Sequence, residues 1–357
     1  MNRLTHRQRM AIKKYSLLIL SLIVIVSVFL SIPSIAKALP TSLVGVLTEN
    51  SKIEESLPAV ESSDDERLTS LMGEAFSAVL GYDYESEPPI PSLENLEGAE
   101  FVSAVNLCWY SEEDIPELHL INRTNFEVDL FDYTDLEFPI DNDIYSEPLV
   151  LIVHTHGTES YLPKGVNYYT SRNTFRSEKE EETVVAVGTV LADSLNSKGI
   201  ITIHDTTMYD KENFSSAYSN SKAAAAATLL KYPSIKYIID LHRDAIFTAK
   251  GVNQKPITKI NEDQCAQVML VVGTNQGGAI HPNWDDNLTV AVNLQKILNE
   301  DYPTLMRPIC LRTASFNQQL SPGSILVEIG SCGNTIEEAK NAAKYFAASF
   351  AEMIYSN

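Results

Sequence analysis

The stretch "VLIVHTHGTESYLP", residues 150–163, decides the fold. Its first four residues form a continuous apolar run, which is typical of a buried strand in a parallel sheet. Two histidines, His154 and His156, follow this run, and Glu159 lies three residues further on. Because α/β proteins build their sites at the carboxyl ends of parallel strands, the stretch predicts a buried strand with a site at its end.

The same pattern continues through residues 148–357, where apolar runs alternate with segments of helical apolar spacing. Further strands are predicted at 201–206, 235–242, 266–274, 307–312 and 324–330, and helices at 183–199, 215–233, 284–303 and 334–354. This alternation predicts an α/β fold with a mostly parallel sheet and helices on both faces. We therefore interpret residues 148–357 as one catalytic domain.

The N-terminal segment, residues 1–39, predicts export. Residues 1–15 carry five Lys or Arg residues and no acid, and residues 16–32 are apolar and uncharged. A basic flank before an apolar segment indicates that the flank stays in the cytoplasm and that the chain beyond it is translocated. The apolar run is slightly short of the roughly 20 residues that a spanning helix prefers. The "AKA" at 36–38 also suits signal-peptidase cleavage, so an uncleaved anchor and a cleaved signal both stay open.

Residues 40–147 separate this anchor from the catalytic domain. Residues 40–98 are rich in Ser, Glu, Asp and Pro, a composition that cannot bury much apolar surface and predicts an acidic tether. Short apolar runs at 99–147 indicate a small accessory region. The formal net charge of -20 excludes a nucleic-acid-binding surface, which needs a basic face. The four cysteines form no C-x-x-C pair, which excludes a thiolate zinc site.

Three predicted strands end in residues that bind metals. The first is followed by His154 and His156, the strand at 235–242 ends at His242, and Glu328 interrupts the apolar strand at 324–330. On a strand, an H-x-H pair places both imidazoles on one face. Imidazole and carboxylate without thiolate are the usual ligands of a catalytic zinc ion (Zn²⁺), and a nearby carboxylate can take a proton from water.

Several segments resemble the stage II sporulation protein P family over residues 148–357. They include "IVHTHGTESYLP", "SSAYSNSKAAAAATLLKYPSIKYIIDLHRDA" and "LSPGSILVEIGSCGNTIEEA". The resemblance implies an exported, membrane-anchored cell-wall hydrolase, related to the zinc-dependent N-acetylmuramoyl-L-alanine amidases. It also implies endopeptidase activity on stem-peptide cross-links, and a role in engulfment during endospore formation with the stage II sporulation proteins D and M.

The resemblance also implies roles for individual residues. The metal ligands would be His156 (with His154 as the alternative), His242, and a glutamate before the helix at 183–199. For that glutamate the spacing favours Glu181 over its neighbours Glu180 and Glu182, and Glu159 is a rival because it lies close to the histidines. Glu328 matches the catalytic base of the relatives.

The remaining candidates concern the substrate. Arg243 is a candidate for binding a stem-peptide carboxylate or for pairing with Asp244, and Asn317 and Glu159 are candidates for lining the groove. The sequence thus predicts a membrane-anchored amidase acting on peptidoglycan outside the cytoplasm. Two alternatives stay open: an exported zinc carboxypeptidase or deacetylase, and a catalytically idle scaffold that binds the wall.

The N-terminal segment gives a testable topology. Protease added to intact protoplasts is expected to remove the chain beyond about residue 40, because the basic flank holds only the N-terminus in the cytoplasm. Immunoblotting of the catalytic domain measures this, with a cytoplasmic protein as the control for protoplast integrity. A catalytic domain that is protected until the protoplasts are lysed contradicts the predicted orientation.

Overall fold

A computed structural model of the protein describes residues 99–108, 118–134, 146–170 and 175–356. These residues belong to one compact unit, Leu80–Asn357. The predicted anchor at 1–39 and the acidic tether at 40–98 lie outside the described residues. None of the helices in the described ranges is both long enough and apolar enough to cross a membrane.

The described residues form twelve strands and four α-helices. The strands are β1 (Glu100–Phe101), β2 (Ser103–Val105), β3 (Leu120–Asn122), β4 (Val150–Val153), β5 (Tyr168–Tyr169), β6 (Thr202–His204), β7 (Tyr237–Asp244), β8 (Gln254–Ile260), β9 (Asp263–Ala266), β10 (Val268–Gly273), β11 (Ile309–Arg312) and β12 (Gly323–Ser331). The helices are α1 (Val184–Ser197), α2 (Ala217–Lys231), α3 (Trp284–Asp301) and α4 (Ile336–Ser356). Every strand and helix predicted for residues 148–357 is present, with shifts of a few residues at the ends.

The main sheet has seven strands in the order β3-β11-β10-β12-β7-β4-β6. Neighbouring strands run parallel except at one place, where β12 pairs with β10 in the antiparallel direction. The predicted α/β fold with a mostly parallel sheet is therefore confirmed. The single reversal divides the sheet into two halves, so the carboxyl ends of β4, β7 and β12 meet at one edge.

The sequence did not predict the smaller sheets. β8 and β9 form an antiparallel hairpin, β2 pairs with β8, and β1 pairs with β5. The segment at 99–147, predicted to be an accessory region, supplies β2 to this hairpin and β3 to the edge of the main sheet. The strands β1, β2, β3 and β5 are only two or three residues long, which is too short for an alternating pattern to show in the sequence.

Helices cover both faces of the main sheet, but unequally. The alternating side chains of β4 show this: Val150 and Ile152 pack in the large core with α1, α3 and α4, whereas Leu151 and Val153 pack with α2 on the other face. On that second face a separate apolar cluster of Met269, Val271, Cys310 and Leu326 contains no helix residue. This half of the face forms the floor of the cavity described below.

Gly188 allows α1 to pack closely on the sheet. A Cβ atom at this position would lie 2.6 Å from His154 Nε2 and 2.7 Å from His204 Nε2. Both distances are well inside van der Waals contact. The two histidines and the helix can therefore occupy their positions only with glycine at residue 188.

This packing predicts that Gly188→Ala destabilises the protein. In an unhindered helix the change would stabilise by about 1 kcal/mol, but the overlap with two imidazoles is expected to lower the free energy of unfolding by about 1–3 kcal/mol. Urea denaturation measures the change, and Asp193→Ala on the exposed side of the same helix is the control. A Gly188→Ala protein as stable as the unmodified chain contradicts the packing described here.

Candidate metal centre

Three potential ligand atoms converge at the carboxyl ends of β4 and β7. His156, Glu159 and His242 each offer one atom, and these atoms lie within 4.8 Å of one another. Glu159 stands between the two histidines: Oε1 is 3.7 Å from His156 Nδ1, and Oε2 is 3.3 Å from His242 Nδ1. Two imidazoles and one carboxylate form a ligand set suited to a catalytic zinc ion.

The turn after β4 brings His156 and Glu159 side by side. The strand ends at Val153, and the backbone N–H of Glu159 donates to the carbonyl of His156 over 3.1 Å. Gly157 lies inside this turn, where a Cβ atom would approach Met208 Cα to 2.8 Å. The turn therefore needs glycine at this position, and it places the side chains three residues apart on the same side.

A second carboxylate holds the imidazole of His242. Asp240 lies two residues earlier on β7, and its Oδ1 is 2.9 Å from His242 Nε2. Thr155 fixes Asp240 in turn, because its backbone N–H and its hydroxyl donate to the two carboxylate oxygens over 2.9 and 2.7 Å. This contact leaves Nδ1 of His242 directed to Glu159 and available as a ligand atom. Carboxylates that orient a histidine in this way support its binding of a metal.

The ionisation states of these buried groups depend on each other. Burial disfavours the charged form of His242, but the carboxylates of Asp240 and Glu159 outweigh this effect and raise its pKa. Burial alone would raise the pKa of Glu159, yet its contacts with His242 lower the pKa to about 2. The carboxylates therefore make a strongly cation-attracting environment around Nδ1 of His242.

Glu328 faces the cluster from β12. It pairs in register with His242 of β7, so both side chains project from the same face of the sheet. Its Oε2 is enclosed and has no hydrogen-bond partner among the described residues. Burial, together with the negative charges of Asp244 and Glu159, raises the pKa of Glu328 to about 8, although His242 opposes this rise.

All four residues line one open cavity of about 350 Å³. The cavity lies over the half of the sheet that no helix covers, and Tyr218 of α2 forms part of its wall. Its remaining lining residues are Ile121, Arg123, Asp244, Met269, Val271, Arg307, Cys310, Arg312, Phe316 and Leu326. A substrate bound here would contact the metal-binding atoms and Glu328 at the same time.

His154 does not lie with His156. The strand ends before both residues, so the alternation expected for an H-x-H pair does not apply. His154 is buried against Gly188; its Nδ1 donates to the Leu241 carbonyl over 3.0 Å, and its Nε2 is 2.8 Å from His204 Nε2. Burial lowers the pKa of His154 to about 3, so it is a neutral member of the core, and His204 is its partner.

Glu181 lies on a short 3-10 turn, Glu180–Glu182, and its side chain is exposed. The structure does not bring it to the histidines. Glu159, the rival considered for the same role, contacts both of them. The position of Glu181 just before the predicted helix made it the favoured ligand. The sequence does not show that the turn after β4 places the carboxylate of Glu159 at the histidines.

Arg243 and Asn317 have structural contacts. The buried guanidinium of Arg243 donates to the carbonyls of Ser160 and Phe175 over 3.1 and 2.5 Å, and its backbone N–H donates to Glu159 Oε2 over 3.1 Å. It does not pair with the carboxylate of Asp244, which binds Arg307 instead. The amide of Asn317 donates to the Tyr218 carbonyl over 2.8 Å, so it connects its loop to α2. Both residues support the walls of the site.

Sequence reasoning missed Asp240, Tyr218 and the arginines of the cavity. Asp240 had a usable signal, because the D-x-H spacing in "IDLH" places both side chains on one face of a predicted strand. Arg123, Arg307 and Arg312 had none. Arg123 lies more than 180 residues before Arg307 and Arg312, and only the pairing of β3 with β11 brings the two segments together.

Comparison with solved structures gives matches to cell-wall amidases at low sequence identity. The N-acetylmuramoyl-L-alanine amidase AmiC2 of Nostoc punctiforme is 15% identical, with a TM-score of 0.36, over 59% of this chain and 97% of that one. The N-acetylmuramoyl-L-alanine amidase from Clostridium difficile 630 is 14% identical, with a TM-score of 0.34, over 59% and 97%. The CwlD amidase from Clostridioides difficile, solved in complex with the GerS lipoprotein, is 14% identical, with a TM-score of 0.35, over 59% and 95%.

Sequence comparison gives a family. The stage II sporulation protein P of Bacillus subtilis (strain 168) is 31% identical over 220 residues, which are 58% of this chain and 51% of that protein. The chain thus spans about half the length of the curated relative that it matches. The family model for stage II sporulation protein P matches residues 112–351, which include the three potential ligands and Glu328. This chain therefore belongs to the stage II sporulation protein P family.

Proposed function

We propose that this protein is a zinc-dependent peptidoglycan hydrolase that cleaves the amide bond between N-acetylmuramic acid and L-alanine. One observation carries the proposal: His156, Glu159 and His242 form a ligand cluster in an open cavity that Glu328 also lines. A metal-binding site with a separate carboxylate nearby is suited to the hydrolysis of an amide bond. Membership of the stage II sporulation protein P family supports a role in spore formation.

The donor set fits a zinc ion. It contains nitrogen and oxygen donors without thiolate, and it has three protein ligands, which leaves a position for water or substrate. Asp240 behind His242 is the orienting carboxylate that such sites usually have. When bound, zinc supplies Lewis acidity that polarises a carbonyl and makes water nucleophilic at neutral pH. His156, Glu159 and His242 are the residues that would hold it.

Glu328 is the proton carrier in this proposal. It takes a proton from the attacking water while the hydroxyl oxygen adds to the amide carbon. It then returns the proton to the amide nitrogen as the C–N bond breaks. The products are a free carboxyl group on the muramic acid and a free amino group on L-alanine. The raised pKa of Glu328 suits a carboxyl group that accepts a proton and then returns it, and no protein group in the described ranges competes for its Oε2.

The setting of this reaction is part of the proposal. The basic and apolar N-terminal segment supports a single membrane anchor with the catalytic domain facing the wall. The family's name supports action during sporulation, and we extend the proposal to engulfment with the stage II sporulation proteins D and M as partners. The same cavity is open enough to admit a cross-link peptide, so endopeptidase activity on stem-peptide cross-links belongs to the proposal as well.

The ligand assignment predicts zinc contents. His156→Ala and His242→Ala are expected to lose most of their zinc, because each removes one of three protein ligands from the site. His154→Ala and Glu181→Ala are expected to keep it, since neither residue reaches the cluster. Elemental analysis of zinc-loaded, gel-filtered protein measures the content, and circular dichroism confirms that each variant is folded. Full zinc in folded His156→Ala or His242→Ala protein contradicts the assignment.

The role of Glu328 predicts a separation of binding from chemistry. Glu328→Gln preserves size but cannot accept a proton, so hydrolysis is expected to fall by about 10²- to 10⁴-fold. Zinc content and binding to purified sacculi are expected to stay at the level of the unmodified protein. Mass spectrometry of the released peptides measures hydrolysis through the free amino group of L-alanine. Glu352→Gln, an exposed change on α4, is the control.

The same experiment distinguishes the alternatives. Full activity of Glu328→Gln removes this residue from the mechanism, and loss of zinc makes it a ligand. Release of D-alanine or acetate in place of stem peptides identifies a carboxypeptidase or a deacetylase. If the zinc-loaded, unmodified protein binds sacculi and releases nothing, the protein is a scaffold.

A further inference from the structure

Three arginines line the cavity that contains the candidate metal centre. They are Arg123, Arg307 and Arg312. The whole chain has 27 basic residues against 47 acidic ones and a net charge of -20. In this cavity the three guanidinium groups equal the three acidic lining residues in number, whereas acids strongly outnumber bases in the chain as a whole. Where these charges lie along the cavity therefore decides what each part of it can bind.

Arg123 and Arg312 lie next to each other at the ends of paired strands. β3 and β11 run parallel with Ile121 opposite Cys310, and the backbone N–H of Arg123 donates to the Leu311 carbonyl over 2.9 Å. Both arginines therefore follow the last residue pair between β3 and β11, Asn122 and Leu311. Both are exposed, so their guanidinium groups are accessible to a ligand in the cavity.

The thiol of Cys310, on the apolar floor of the cavity, is influenced by all three arginines. Burial raises the pKa of this thiol, and Arg312, Arg123 and Arg307 each oppose that rise. Arg307 precedes β11 and Arg312 ends it, so the arginines flank the floor from two ends.

Arg307 has an unused donor. The residue is only 7% exposed, and its Nη2 donates to Asp244 Oδ2 over 2.8 Å. Its Nη1 is buried and has no hydrogen-bond partner within the described part of the chain. A buried charged donor without a partner costs free energy. Because Asp244 lies beside the ligand cluster, Arg307 belongs to that end of the cavity.

The charges of the cavity are separated along its length. Its acidic lining residues in the described ranges are Glu159, Asp244 and Glu328. All of them lie at or beside the ligand cluster, and the floor of Met269, Val271 and Leu326 carries no charge. Arg123 and Arg312 stand beyond this floor. The cavity therefore has a metal-binding end and an anion-binding end.

The strand register gives the distance between the two ends. On β10, Met269 lies opposite Glu328 of β12, and Gly273 lies opposite Arg312 of β11. Gly273 follows Met269 by four residues along this strand. At about 3.3 Å per residue this is roughly 13 Å along the sheet. An extended peptide of about four residues covers that length.

We propose that Arg123 and Arg312 form a subsite that binds a free carboxylate of a short acidic peptide whose scissile amide lies at the His156–Glu159–His242 cluster. This inference rests on the proposed function and specifies its substrate: a peptide that still carries a free carboxylate about four residues from the cleaved bond. Guanidinium groups bind carboxylates through paired, charge-assisted hydrogen bonds. Cleavage would therefore depend on whether the carboxylate at the far end of the peptide is free.

The test compares two soluble substrates with the zinc-loaded full chain. One is a disaccharide tetrapeptide with free carboxylates, and the other is the same compound with these carboxylates converted to amides. The unmodified protein is expected to prefer the free acid by about 10- to 100-fold in kcat/KM, the value of one or two charge-assisted hydrogen bonds. The preference should appear in KM, because the subsite does not touch the reacting atoms.

The variant Arg123→Gln/Arg312→Gln is expected to lose this preference, through a higher KM for the free acid. Both residues are exposed, so the change does not disturb the core. Lys296→Gln, which removes an exposed charge from α3 on the other side of the sheet, is expected to retain the preference. A double variant that keeps the preference of the unmodified protein overturns the subsite.

Calorimetry measures the binding of the same two substrates, the free acid and the amide, to the same proteins. It distinguishes a failure of the subsite from a failure of the proposed hydrolase. Cleavage of both substrates without any preference overturns the subsite and leaves the hydrolase. A binding preference that the double variant abolishes, with no cleavage of either substrate, supports the subsite and overturns the hydrolase. Absence of both preference and cleavage overturns both.

Discussion

The site depends on one buried carboxylate, that of Asp240. Its Oδ1 is 2.9 Å from Nε2 of His242 on the same strand, and both its oxygens accept hydrogen bonds from Thr155 in the turn after β4. One side chain thus contacts the imidazole of His242 and holds the turn that carries His156 and Glu159. A buried charge is stable only when it is paired and hydrogen-bonded, so these contacts hold each other in place. Asp240 thus adds a buried contact between β7 and the turn to those that Glu159 makes with His242 and with the backbone of Arg243.

The reversal of direction in the main sheet gives the site its space. β4, β7 and β12 run in one direction and end at the ligand cluster, whereas β10, β11 and β3 run in the opposite direction. α2 packs on the second face only against the β4 and β7 side. The face of β10 and β11 stays open as an apolar floor beside the cluster. An elongated substrate therefore has a surface to follow from the candidate metal centre toward Arg312.

Much of this fold could be predicted because burial leaves a clear pattern in the sequence. Continuous apolar runs located β4, β7, β10 and β12, and the position of Glu328 within such a run placed it on a buried strand near His242. The H-x-H spacing failed because it assumes that the strand continues past His154, and hydrogen bonding within the turn ended the strand at Val153. The arginines had no local signal, since strand pairing across nearly 190 residues of sequence joins Arg123 to Arg312.

The choice between Glu159 and Glu181 has a consequence for how the site is assembled. With Glu159, two of the three potential ligands come from one four-residue turn, and only His242 comes from elsewhere. The backbone N–H of Arg243 donates to Glu159 Oε2, and the Arg243 side chain donates to the carbonyls of Ser160, which follows this turn, and of Phe175. The residue after His242 therefore also positions the carboxylate that faces His242. β7 thus provides the third ligand, the carboxylate beside it and the arginine that contacts Glu159. This single strand therefore positions most of the candidate metal centre.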